Sequence, residues 1–131
     1  MVDVFLLCVD RDGELERRER LTHREVWAAQ EHGRTLIAEN AWQEIEVWVL
    51  AGLTLPAEWQ WSAIRAERDP KEAYFIPFAE QRGVLNTPGQ GRKILAEEAA
   101  RNYKRIKQLC KKDVAALEAN LHDWLHPAAV E

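Results

Sequence analysis

Apolar residues run almost without a break from Val2 to Val9 and stop at Asp10-Arg11-Asp12-Gly13. A continuous apolar run of that length, closed by a glycine turn, predicts a strand buried on both faces, as strands of parallel sheets are. Glu14 to Arg20 is charged except for Leu15, the pattern of a solvated loop or a short exposed helix. Thr22-His23-Arg24-Glu25 has the spacing of a capping box, in which Thr22 and Glu25 exchange side-chain and backbone hydrogen bonds. The helix it opens carries Val26, Trp27, Ala29 and Gln30, and Gly33 is placed to end it. Thr35-Leu36-Ile37-Ala38 reads as a short second strand. Strand, helix and strand in that order predict a right-handed, parallel βαβ unit.

Asn40 is the predicted N-cap of a helix running to about Leu53, with Trp42, Ile45, Val49 and Leu53 as its buried stripe. Glu46 falls at the edge of that stripe, where an acidic residue is expected to be partly exposed. Pro56 interrupts the pattern, and Trp59, Trp61 and Ile64 suggest a short helix. Asp69-Pro70 marks another start, with Asp69 as cap and Pro70 at the first helical position; Pro77 limits or kinks the helix begun there. Gly83 to Lys93, with three glycines and Pro88, is the most loop-like stretch, and it delivers Arg92 and Lys93 to the head of a long helix. That helix buries Leu95, Ala99, Ile106 and Leu109. Asp113 caps a last helix carrying Val114, Leu117, Leu121, Trp124 and Leu125, which ends at His126-Pro127. The expected fold class is α/β: one domain over 1–131, with a βαβα unit over 1–53 and a helical extension over 54–131.

A chain of 131 residues, 47% hydrophobic and 31% charged, has the composition of a soluble globular domain. The net charge of −4 gives no support to a broad nucleic-acid-binding surface, although it leaves room for a local basic groove. Cys8 and Cys110 form neither a metal spacing nor a disulfide framework, which points to a reduced, cytoplasmic protein with Cys8 as a small buried hydrophobe. No apolar run approaches the ~18 residues of a membrane span. Six tryptophans are many for this length and imply that some sit at an interface.

The chemistry centres on Asp10 and Asp12. Ligand sites of parallel α/β sheets lie beyond the carboxyl ends of the strands. Two carboxylates one residue apart at such a point suit a hard divalent cation, Mg²⁺ or Mn²⁺. The same residues also suit an Asx-type turn, and the sequence leaves both readings open. In the metal reading, Glu46 lies close enough to orient the attacking water or accept its proton. Lys93 assists at the reacting phosphate, and Arg92 and Lys93 hold phosphate oxygens. Without a metal, Asp10, Asp12 and Glu46 would repel one another, raising the pKa of at least one. His122 and His126 have the i, i+4 spacing of a metal pair but no third ligand in pattern, and Ser62 is the only serine, so neither zinc nor serine-hydrolase chemistry has support.

Two family resemblances meet at these residues. Val9-Asp10-Arg11-Asp12-Gly13-Glu14-Leu15 is similar to the first motif of haloacid-dehalogenase-type phosphatases, in which the first Asp is a nucleophile and the second a general acid. That family usually has Thr or Val at the position of Glu14, and its later acidic pair has no counterpart here. Gln43-Glu44-Ile45-Glu46-Val47-Trp48-Val49-Leu50-Ala51-Gly52 resembles the Glu-x-Trp-x-Leu segment of uncharacterised Toprim-like proteins related to the overcoming-lysogeny-defect nucleases. In those proteins it follows an Asp-x-Asp strand and a short Ile-Ala strand, as it does here after Leu36-Ile37-Ala38. Gly91-Arg92-Lys93 opening a helix, with Leu109-Cys110 near its end, fits the same group.

This second resemblance covers most of the chain. It implies a partial Toprim-like (Rossmannoid) parallel sheet and metal-dependent phosphodiester chemistry of nuclease type on nucleic acid, in phage defence. A Toprim domain begins with an earlier strand that ends in a Glu, and here the Asp-x-Asp strand opens the sequence. The expectation is a domain incomplete at its amino terminus, completed by further chain, by self-association or by a partner protein. Two strands leave an unpaired edge, so association is expected near Val2–Val9 or through exposed tryptophans. The alternative function is a non-catalytic assembly or regulatory module with a degenerate Toprim fold.

Overall fold

The computed structural model describes residues 3–12 and 14–127. Val2 and Gly13, the expected start of the first strand and the turn that closes it, lie outside the described residues, as does the tail after Pro127. Strand β1 (Phe5–Asp10), helix α1 (Arg17–His32) and strand β2 (Leu36–Ala41) come in order. The two strands pair in parallel from Phe5↔Leu36 to Asp10↔Ala41. Helices α2 (Glu46–Gly52), α3 (Trp61–Ala66), α4 (Ile76–Gln81), α5 (Arg92–Ala100), α6 (Tyr103–Leu109) and α7 (Val114–Leu125) make up the rest, with a π-helical turn at Lys71–Phe75 and a 3₁₀ turn at Pro88–Gly91. The parallel pair and the helical carboxyl-terminal half are as expected.

The core sits elsewhere than the apolar run suggested. β1 is not buried on both faces: Phe5, Leu6 and Leu7 are 47%, 51% and 38% exposed, and Cys8 is only half-buried. The buried cluster lies in the helices, built from Val47, Leu50, Leu53, Ile64, Phe75, Phe78, Leu95 and Ile106 with their small neighbours. An apolar strand is covered only as far as there are layers and strands around it, and among the described residues β1 pairs with β2 alone.

β2 is the sheltered strand. Its outer edge is sealed by side chains of α1: Arg18 donates to the Ala38 carbonyl at 2.6 Å, and the Ala38 N–H donates to Glu25 at 3.0 Å. Arg18 and Glu25 also pair with each other at 2.8 Å. An ion pair thus stands where a third strand would be.

Several boundaries move for local reasons. α1 starts five residues before Thr22, whose hydroxyl donates to the Arg18 carbonyl within the helix instead of capping it. Arg, Glu and Leu are good helix formers, and no breaker separates Arg17 from Thr22. Gly33 ends the helix as expected, at φ 60°, with its N–H bonded to Ala29. β2 runs on through Asn40, which is a buried strand residue and not a helix cap. α2 therefore begins only at Glu46, and its inward face is Val47, Leu50 and Ala51, while Ile45 is exposed. Glu46, expected at a partly exposed flank, is 8% exposed. Asp69 makes no capping bond; Pro70 leads into the π-helical turn, and Pro77 lies in the first turn of α4. The long helix after Lys93 divides into α5 and α6, and Asn102 at the break donates to the Gly52 carbonyl at 2.9 Å.

Gly52 allows α2 to touch α5. A Cβ there would stand 2.5 Å from the Ala99 carbonyl oxygen and 2.8 Å from its Cα. Gly52→Ala is expected to destabilise the protein by about 1–3 kcal/mol, because the overpacking outweighs alanine's better helix propensity. Urea denaturation measures it, and a variant as stable as the parent would contradict the contact.

Candidate metal centre

Past the end of the sheet the two strands continue side by side. The Arg11 N–H donates to the Ala41 carbonyl at 3.2 Å, and the Asp12 N–H donates to the Gln43 carbonyl at 2.8 Å. To make this turn, Asp12 and Gln43 adopt φ values of 51° and 71°, in the left-handed region. Such backbone costs a non-glycine residue of order 1–3 kcal/mol and persists where surrounding bonds enforce it. Its result is local: Asp10, Asp12 and Glu44 each present an oxygen, all within 4.8 Å of one another.

Each member is held. Asp10 Oδ1 accepts from the Ile45 N–H at 2.7 Å, tying the end of β1 to the start of α2. Glu44 Oε1 accepts from the Lys71 N–H at 3.0 Å, which anchors the π-helical turn. Asp12 is exposed, with the Arg17 guanidinium 3.9 Å away. Burial raises the pKa of Glu44; the nearby negative charges of Glu46, Asp10 and Asp12 add to the rise, and the Lys71 hydrogen bond offsets part of it. The rise falls on Glu44, which was not among the acids expected to crowd one another. A cation at this point would relieve it, and three oxygen donors in one concave turn suit Mg²⁺ or Mn²⁺, which keep several waters.

Of the residues singled out from the sequence, the structure brings Asp10 and Asp12 together and sets the others further out. Glu46 is engaged by Arg92, Nε to Oε1 at 3.2 Å, next to the acidic group and outside it. Arg92 therefore reaches the acids only through Glu46. Lys93 lies exposed on α5. Glu44 is the member that sequence reasoning missed. Its signal lay in the Gln43-Glu44-Ile45-Glu46 segment, but a helix drawn from Asn40 hides that residues 42–45 cross the strand ends as a loop.

Arg11, between the two aspartates, lies with its guanidinium carbon 3.7 Å from the ring centre of Trp42, and Arg65 lies 5.5 Å from the same ring. A cavity of about 170 Å³ there is lined by Arg11, Arg18, Arg65 and Lys112 facing Glu39 and Asp113. An adjoining groove is lined by Trp42, Gln43, Trp61, Arg65, Lys111 and Lys112. Arg65 there is paired with Asp113, so the basic character of the groove comes from Lys111 and Lys112. No family model, curated protein or solved structure matches the chain. Among the described residues no helix is long and apolar enough to cross a membrane.

The acidic turn has two measurable consequences. Because the folded pKa of Glu44 is raised, the native state holds more proton there than the unfolded chain does. The stability of the metal-free protein should then fall as pH rises from the ordinary glutamate value through the raised one. Glu44→Gln keeps an acceptor for Lys71, so it should melt higher than the parent at neutral pH, with the difference vanishing in acid. Melting curves across pH check this, and equal melting points at neutral pH would count against it. Asp12→Gly should stabilise the metal-free protein by about 1 kcal/mol through relief of the left-handed backbone, while weakening metal binding. A loss of stability in denaturant titration would show that the Asp12 side chain helps hold the turn.

Proposed function

We propose that this chain carries a Toprim-like, metal-dependent phosphodiester site of nuclease type, with Mg²⁺ or Mn²⁺ held by Asp10, Asp12 and Glu44. The observation that carries the reading is the approach of three carboxylate oxygens at the carboxyl end of a parallel strand. A bound cation would offset charge on a phosphoryl group and favour attack by water. Glu44 Oε1 keeps its bond from the Lys71 N–H, and its other oxygen would be the one that meets the cation. The Glu46–Arg92 ion pair joins the start of α2 to the start of α5 beside the acidic turn. The groove with Trp61, Lys111 and Lys112 is suited to single-stranded nucleic acid, with a base on the Trp61 indole and phosphates on the two lysines. A role in phage defence rests on the resemblance of the Gln43–Gly52 segment alone.

Incubation with end-labelled single- and double-stranded DNA and RNA oligonucleotides, with Mn²⁺ and with chelator, tests this reading. Metal-dependent cleavage is expected, falling at least ~100-fold in Asp10→Asn and Asp12→Asn, the loss typical of removing a group that supports transition-state charge. Cleavage that survives chelator, or is unchanged in both variants, would overturn it. A second reading, a non-catalytic assembly module, is favoured by the bonds from Asp10 to Ile45 and from Glu44 to Lys71, which give both acids a structural task. Metal binding without any cleavage would select that reading.

A further inference from the structure

We infer that Arg17 turns the acidic turn into a phosphate-binding site, holding one oxygen of a phosphoryl group whose other oxygen meets the cation at Asp10, Asp12 and Glu44. The inference rests on the metal site proposed above. Arg17 opens α1, and its Nη2 lies 3.9 Å from Asp12 Oδ2 and 3.4 Å from Glu14 Oε2. At those distances it is a neighbouring charge and not a well-bonded partner. Glu14 Oε2 already accepts from Arg20 at 3.0 Å. The Arg17 side chain is only 26% exposed, and its Nε is buried without an acceptor among the described residues. Other part-buried guanidinium groups are served: Arg18 by the Ala38 carbonyl and Glu25, Arg65 by Asp113, and Arg92 by Glu46. A buried donor left unmet costs stability, and an orphan of this kind beside a candidate metal site calls for an acceptor.

Charge and shape choose the ligand. With a divalent cation on the three acids, two positive centres stand side by side, the metal and the Arg17 guanidinium, and an anion between them relieves their repulsion. A phosphoryl group carries several oxygens on one centre and can meet both at once, and the planar fork of a guanidinium matches it. Turning the Arg17 side chain toward such an oxygen also gives Nε the acceptor it lacks. The other cations nearby are committed or remote. Arg92, expected from the sequence to hold phosphate, is held by Glu46; Lys93 lies exposed on α5; and Arg11 lies over the Trp42 ring. The phosphate role thus passes to Arg17, which sits unremarked in the charged run from Glu14 to Arg20. Metal and phosphate then bind cooperatively, and by linkage each strengthens the other equally.

Calorimetric titration of thymidine 5′-monophosphate into the full chain tests the inference, with thymidine as the control that lacks the phosphate. With Mn²⁺ saturating, the parent should bind the monophosphate at least ~10-fold more tightly than without metal, a coupling of ordinary size between two sites, and should not bind thymidine. Arg17→Ala should bind Mn²⁺ no less tightly than the parent, which shows that the turn is folded. It should nevertheless lose roughly tenfold or more of its affinity for the monophosphate, as removal of a charge-assisted hydrogen bond does. Arg17→Lys keeps the charge without the fork and should fall between the two. Arg92→Ala removes only the partner of Glu46 and should bind the monophosphate as the parent does. Oligonucleotide cleavage separates this site from the nuclease reading: a parent that binds the monophosphate through Mn²⁺ and Arg17 but cleaves nothing keeps the phosphate site and removes that reading. Unchanged monophosphate affinity in both Arg17 variants, or a parent that binds equally with and without Mn²⁺, would overturn the inference even where oligonucleotides are cleaved. Loss of Mn²⁺ binding in both Arg17 variants would make Arg17 a prop of the turn and overturn it as well.

Discussion

Asp113→Ala is expected to cost about 3–5 kcal/mol, in line with removing one partner of a buried ion pair. Asp113 is 2% exposed. Its Oδ2 accepts from the Trp42 N–H at 3.0 Å, the Trp48 indole at 2.8 Å and Arg65 at 3.0 Å, while Oδ1 accepts a second Arg65 N–H at 3.2 Å. One side chain thus ties the loop after β2, α2 and α3 to the head of α7. Truncation leaves a largely buried guanidinium without its anion and two N–H donors without an acceptor. Asp113→Asn should cost less, because an amide oxygen still serves one of the tryptophan donors. Arg65→Ala made on top of Asp113→Ala should add far less than Arg65→Ala alone, since the two charges act as a unit. Denaturant titrations of the four proteins measure this, and additive costs would show that Asp113 works mainly as a backbone anchor.

Asp113 also marks what could be read from the chain and what could not. Its position ahead of the last helix was legible, as a short polar residue before an apolar helical stripe. Its task was not: the side chain makes no capping bond and serves residues 48 to 71 positions away. The parallel pairing of the first two strands was legible because the order of strand, helix and strand constrains it. The exposure of β1 was not, because an apolar run reports what a residue would prefer to touch and not whether a layer is there to touch it. Asp10 and Asp12 were legible from the strand-end rule. Glu44 required the true length of β2, and the stretch from Asn40 to Ile45 has no glycine or proline to show where the strand stops. The π-helical turn at Lys71–Phe75 had no local signal either, since its first N–H is satisfied by Glu44 from 27 residues earlier.

Calorimetric titration of Mn²⁺ and Mg²⁺ tests most directly whether Asp10, Asp12 and Glu44 form a divalent-cation site. The parent should bind with a saturable heat at neutral pH and weaken as acid protonates the carboxylates, Glu44 first because its pKa is raised. Metal should also raise the melting temperature, because the ion binds only the folded turn. Asp10→Ala/Asp12→Ala removes two of the three donors and should abolish the heat; Glu44→Gln should weaken binding at least tenfold. Glu46→Gln separates the structural assignment from the one the sequence alone suggests: Glu46 is engaged with Arg92 and stands outside the cluster, so this variant should bind nearly as the parent does. Saturable binding lost with Asp10, Asp12 or Glu44 and retained without the Glu46 charge is the predicted result; isotherms for Asp10→Ala/Asp12→Ala identical to those of the parent would contradict it.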